Sequence, residues 1–336
     1  MELGGSIMRS FHIIAGVIAF AGQLVCASAQ TTAPTPLKVG YDGNSMTTAP
    51  MYYAQKKGIF KKYNLDVTMV YIDGGTTLSQ AVVGGSVDIG QNGYTPAAAA
   101  AVQGADIVFI GGISNKLPFQ LVVKKEIKTA DDLRGKKLAI SRLGSSSDTA
   151  ATIALDHFKL KRSDVTLLQL GGEGTRTAAM MSGQIDGSFE QYPRTAELEE
   201  QGYWVMADCT ILAGDYPNTS YVSTRRYLKD HGDVAKRFLM AISEALALYR
   251  KDKPEALKLT AEFLKTPETH ALSETYDRYV ADVFPVIPYP SKAGLTLVLA
   301  EIASKNPAAA HVTPEQISDV SALDALVKDH FFDTLK

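Results

Sequence analysis

Two arginines, two glutamates and a serine-rich turn hold the most specific chemistry in this chain. Arg142 and Arg176 each follow a short apolar run, where a strand gives way to a loop that leads into a helix. A guanidinium at such a place can clamp a carboxylate, sulfonate or phosphonate through paired N–H donors. Glu173 and Glu190 occupy loops of the same kind, and they can either receive a donor group from a ligand or pair with those arginines. Gly144-Ser145-Ser146-Ser147 precedes a helical stretch, an arrangement that leaves hydroxyls and free backbone N–H groups at a helix start. Asn44-Ser45-Met46, Gly75-Thr76, Asn92-Gly93 and Thr175 stand at equivalent positions. The positive end of a helix dipole favours an anionic group at each. Tyr41, Tyr94 and Tyr192 lie at strand ends, where an aromatic wall for a ring or alkyl ligand and ordinary core packing are equally good uses for them.

These residues offer binding rather than bond cleavage. His157, His231, His270, His311 and His330 lack metal-ligand spacing, and there is no HExxH, paired CxxC, GxSxG elbow or P-loop. Cys209 has no His partner in sequence and reads as a small buried side chain. No cofactor, no metal and no catalytic role are expected.

The elements that position these residues recur. Residues 74–90 (GGTTLSQAVVGGSVDIG) and 171–187 (GGEGTRTAAMMSGQIDG) share a Gly pair, a Thr at a helix start, an apolar helical turn, a Gly stop, and then a β-branched residue and Asp. Gly74-Gly75 matches Gly171-Gly172, and Asp88 matches Asp186; both Asp residues are expected to be structural. A loop–helix–strand unit used twice suggests two similar lobes. Around it, short apolar strands alternate with helices: a strand at 37–41, a helix at 50–57, strands at 66–71, 87–89 and 107–111, and a helix at 95–103. The rhythm resumes with strands at 138–141, 165–169, 187–190 and 204–207. Such alternation predicts an α/β fold with mainly parallel sheets flanked by helices. Residues 114–119 and 215–219 interrupt it and read as two crossings between lobes. Beyond them Asp233–Arg250 sets Val234, Phe238, Ile242, Ala245 and Tyr249 on one helical stripe, and the helices that follow are expected to pack on the first lobe.

A length of 336 residues allows two compact lobes, and a net charge of −2 offers no basic surface for nucleic acid. Arg9, the apolar run at 13–21 and Ala27-Ser28-Ala29 form an export signal over residues 1–29, with cleavage before Gln30. Gln23-Leu24-Val25 lacks the small residue required just before a lipid-modified Cys26. Removal of the signal leaves Cys209 alone, so no internal disulfide can form. An exported protein without disulfides fits the periplasm, and a monomer is expected.

YAQKKGIFKKYNLDVTMV (53–70) followed by the first Gly-Gly unit resembles the substrate-binding proteins of ABC importers for nitrate, sulfonates and taurine. That group also includes relatives binding thiamine-precursor pyrimidines. DLRGKKLAI (132–140), AAMMSGQIDG (178–187) and the run 225–257 resemble later landmarks, so the likeness covers essentially the whole exported chain. It implies a two-lobe periplasmic-binding-protein fold of type II, with lobe 1 formed by 30–115 and 220–336, lobe 2 by 116–219, and two hinge crossings closing on a ligand. It also implies a small-molecule ligand, an organic anion or an aromatic or heterocyclic acid, passed to an ABC permease in the inner membrane. Many relatives have a Trp-Glu-Pro-like run where this chain reads Phe189-Glu190-Gln191-Tyr192-Pro193, which leaves the ligand open. A pyrimidine-synthesising branch and a ligand-sensing subunit are the alternative functions.

Overall fold

The computed structural model describes residues 33–336, so the export signal expected over 1–29 lies outside the described residues. The chain begins with β1 (Thr35–Tyr41), α1 (Ala49–Lys56), α2 (Ile59–Lys62), β2 (Leu65–Tyr71), α3 (Gly75–Val83), β3 (Ile89–Gly93), α4 (Tyr94–Val102) and β4 (Val108–Gly112). It then crosses into β5 (Gln120–Val123), β6 (Lys137–Ile140), α5 (Ser146–His157), β7 (Thr166–Gln169), α6 (Glu173–Met181), β8 (Gly187–Glu190), α7 (Arg194–Glu200), β9 (Trp204–Asp208) and α8 (Cys209–Leu212). A second crossing returns to β10 (Thr219–Ser223), followed by α9 (Arg225–Lys251), α10 (Lys253–Leu264), α11 (His270–Arg278), α12 (Lys292–Ala303) and α13 (Ser321–Lys328).

Two five-stranded sheets result, ordered β2-β1-β3-β10-β4 and β7-β6-β8-β5-β9. In each, three neighbouring strands run parallel and the fourth position holds an antiparallel strand that has arrived from the other lobe, β10 in the first and β5 in the second. The two lobes are therefore copies of one plan. Asp88 and Asp186 do identical work in them. Asp88 Oδ2 accepts the Lys38 N–H at 2.7 Å and Asp186 Oδ2 accepts the Lys137 N–H at 3.0 Å, so each carboxylate ties the lead-in of β3 or β8 to the parallel strand beside it, β1 or β6.

The crossings are paired with each other. Ile113 and Ser114 N–H both donate to Thr219 O at 2.9 and 3.1 Å, and Asn218 N–H donates to Ser114 O at 3.1 Å. The expected strand at 87–89 lies two residues later, because Val87 and Asp88 lead in and the buried polar run Gln91-Asn92-Gly93 completes β3. Pairing on both sides, with β1 and β10, overrides the poor strand propensity of Gln, Asn and Gly.

Among the C-terminal helices, α9 starts eight residues before the expected position, where Thr224 caps it by accepting the Tyr227 N–H, and it is kinked at His231. Its whole stripe from Val234 to Tyr249 is buried against α1, α2 and β2. Each such large apolar side chain contributes roughly 1.5–3 kcal/mol by leaving water. α12 departs from simple packing on the first lobe. It lies on α4, and Glu301 on it also accepts hydrogen bonds from Thr149 of α5 and from Tyr216 of the return crossing.

Candidate functional site

The loops after β1, β2, β3, β6, β7 and β8 meet between the sheets and line a cavity of about 50 Å³. Four helices begin on its wall: α3 at Gly74-Gly75, α4 at Gly93, α5 at Ser145 and α6 at Gly172. Their unpaired N–H groups and dipoles give the cavity several places for an oxyanion. Ser145 caps α5 through the Asp148 N–H, and Ser147 Oγ accepts the Ser141 N–H at 2.8 Å, so this turn is held rigid.

In the glycine pairs, Gly74, Gly171 and Gly172 face close approach from the other lobe, whereas Gly75 is hemmed in by Asn92, Pro96 and Asp42 of its own. A Cβ on Gly74 would stand 2.7 Å from Ser141 Oγ of the opposite lobe. One on Gly172 would run into Asp73 and would stand 2.6 Å from the Tyr71 hydroxyl, and Gly93 similarly abuts Ser146. The lobes are closed on one another.

The charges are unequal. Arg176 is 1% exposed, and its guanidinium points into its own lobe: Nη1 donates to Gly171 O at 2.6 Å, and Nη2 donates to Phe189 O at 2.9 Å and to Glu190 Oε2 at 3.3 Å. Glu190 is also held by the Ser188 hydroxyl, and burial raises its pKa. Glu173 Oε1 accepts from Gln191 Nε2 at 3.0 Å, whereas Oε2 has no partner. Burial, reinforced by the Glu190 charge, pushes the Glu173 carboxyl up to about 8. Burial does the same for Asp42, which rises to about 7 with a smaller push from Asp73. Ser141 Oγ, Gln191 Oε1 and Arg176 Nε on the cavity wall are buried and unpartnered.

Of the residues singled out in the sequence, Ser45, Gly75, Gly93, Ser145, Ser146, Glu173 and Arg176 line the cavity. Asn92 stands just behind it, donating to Ser79 Oγ and accepting the Gly93 N–H, and Glu190 stands behind Arg176. The remaining residues lie elsewhere. Met46 is core, and Tyr94 is core as well, stacked on Phe109 with its hydroxyl accepting the Ser291 N–H. Tyr41 packs on Tyr71 and Phe263. Thr76 and Gly144 border a separate groove along α3 and α4, and Asn44 is half-buried off the wall. Arg142, in the loop after β6, and Thr175, in the first turn of α6, are exposed and off the wall. Tyr192 lines a second cavity of about 460 Å³ between α7 and α11. Residues that only the structure brings to the wall include Asp42, Thr47, Phe119, Ser141, Gln191 and Asn218. Asp42, Thr47 and Gln191 fall inside loops legible in the sequence. Phe119 and Asn218 belong to the crossings, whose course along the cleft has no local signal.

Relatives of known description share this architecture. The taurine-binding periplasmic protein of Escherichia coli K12 is 28% identical over 262 residues, covering 75% of this chain and 77% of that protein. The crystal structure of the periplasmic aliphatic sulphonate binding protein of Escherichia coli superposes with a TM-score of 0.66 at 26% identity, over 85% of this chain and 97% of that one. The nitrate-binding protein of Synechocystis PCC 6803 has the same fold, with a TM-score of 0.72 at 15% identity over 88% of this chain and 89% of that one. The model of the NMT1/THI5-like family matches residues 45–256, and the chain belongs to that family.

Proposed function

We infer that this protein is the extracytoplasmic solute-binding component of an ABC import system. In this role it acts as a monomer in the periplasm, closes its two lobes on one small polar solute and hands it to a membrane permease. The observation that carries this reading is the cavity between facing helix N-termini, with buried, unpartnered polar atoms on Ser141, Gln191 and Arg176. A buried polar atom without a partner costs about 1–3 kcal/mol, and a bound solute relieves that cost. The named relatives, periplasmic binders of taurine, aliphatic sulfonates and nitrate, support the same reading.

The protein changes nothing in its ligand. A related branch includes a pyrimidine phosphate synthase of Saccharomyces cerevisiae, but the thiol of Cys209 is buried and pushed up to about 12, so it is protonated and unreactive at neutral pH. Among the described residues no cluster of His, Cys, Asp and Glu could hold a metal.

The test is native mass spectrometry of the protein as purified, followed by a melting-temperature screen of sulfonates, amino acids, nitrate and pyrimidines. A ligand at a hundredfold excess over its Kd adds about 2.7 kcal/mol of stability. Recovery of the compound unaltered supports a receptor; its conversion, or the absence of any shift across the screen, refutes it.

A further inference from the structure

We propose that the solute brings a protonated amine, amidine or guanidine group to Glu173, so that the cavity selects zwitterions or cations over simple anions of the same size. The proposal rests on the reading of the cleft as a solute site.

Three charged side chains line the cavity: Asp42, Glu173 and Arg176. Arg176 is largely engaged, since its two Nη atoms are bound to two backbone carbonyls and to Glu190, and only its Nε is left without a partner. Arg194, the next cation, is bound through Nη1 to both oxygens of Glu197 and is not on the wall. Glu173 and Asp42 therefore face the cavity without a hydrogen bond from any cation among the described residues, although the nearby Arg176 and Arg194 charges temper Glu173.

The hydrogen-bond directions agree. Gln191 donates its Nε2 to Glu173 Oε1, which fixes the amide so that its Oε1 is an acceptor; that atom is buried, on a residue 7% exposed, and it has no partner. Glu173 Oε2 is likewise unpartnered. Once an incoming cation displaces the Glu173 proton, the two acceptors on neighbouring side chains call for a group with at least two N–H donors. Nitrate, a carboxylate and a sulfonate offer none, whereas an ammonium, amidinium or guanidinium offers two or more. Across the cavity, the helix N-termini and the Ser141 hydroxyl can take an anionic end, so a short zwitterion satisfies both walls.

Matched ligands that differ only at one end test the idea on the exported chain. Taurine is compared with isethionate, and β-alanine with 3-hydroxypropanoate, by titration calorimetry and melting temperature. The ammonium member of each pair is expected to bind at least about tenfold tighter, the worth of a charge-assisted hydrogen bond. In Glu173→Gln, which keeps the shape and is checked for folding by circular dichroism, the preference should disappear. Equal or tighter binding of the hydroxyl members overturns the proposal while leaving the receptor reading intact. So does a preference that survives Glu173→Gln, or binding of the ammonium members at neutral pH with no proton released, which would mean that the Glu173 carboxyl stays protonated beside them. Failure of all four to bind overturns this proposal, and only an unshifted broad screen extends that failure to the receptor reading.

Discussion

Truncating Arg176 removes three hydrogen bonds at once and leaves Glu190 buried beside Ser188 without its cation. Breaking a buried pair from one side costs about 3–5 kcal/mol, so urea unfolding of Arg176→Ala should show a loss of that order. Arg142→Ala, at an exposed position, should change stability by less than about 0.5 kcal/mol and leave ligand affinity unaltered. In the sequence the two arginines are indistinguishable, because each follows a strand. What separates them is the direction of the side chain, set by carbonyls of Gly171 and Phe189 that only the folded lobe supplies. Glu173 and Asp42 carry a prediction about pH. Both hold protons in the folded protein at a pH where the unfolded chain has shed them, since their folded values of about 8 and about 7 lie above the ordinary 4.5 and 3.8. Stability of the ligand-free protein therefore falls as pH rises from about 4 to about 8. Thermal melts across that range should show the decline, and Glu173→Gln should make it shallower, leaving the part due to Asp42.

Elements are most legible in the sequence where burial follows a period. The α9 stripe of Val234, Phe238, Ile242, Ala245 and Tyr249 is buried throughout. Phe238 stacks on Phe60 at 6.0 Å and meets Tyr221 edge-on at 5.1 Å, so Phe238→Ala should cost about 3–5 kcal/mol in chemical denaturation. Reading was poorer where neighbours decide. The end of β3 is polar and still a strand, because β1 and β10 flank it; the first turn of α9 precedes the apolar stripe and depends on the Thr224 cap. The Gly-Gly units were legible as helix starts. Their contact with Ser141, Asp73 and Tyr71 across the cleft was not, since no local pattern encodes what a residue will face after closure.

At the scale of the whole molecule, that contact can be used as a wedge. Gly172 has an extended backbone (φ −68°, ψ 166°) that a larger residue adopts without strain, and the atoms crowding its missing Cβ belong to Tyr71 and Asp73 of the other lobe. Gly172→Val should leave the separate lobes folded yet hold them apart. Small-angle scattering should show less compaction on adding ligand, and affinity should fall by about tenfold or more, the equivalent of about 1.4 kcal/mol. The two crossings give closure its mechanical character. Because Ile113 and Ser114 are hydrogen-bonded to Thr219, and Asn218 to Ser114, they form one two-stranded ribbon rather than two independent tethers. A ribbon twists readily and resists shear, so the expected opening is a turn of the lobes about a common axis, with the crossings kept in register. Any membrane partner then meets a surface with one angular coordinate, and occupancy of the cleft is reported to it as a single angle.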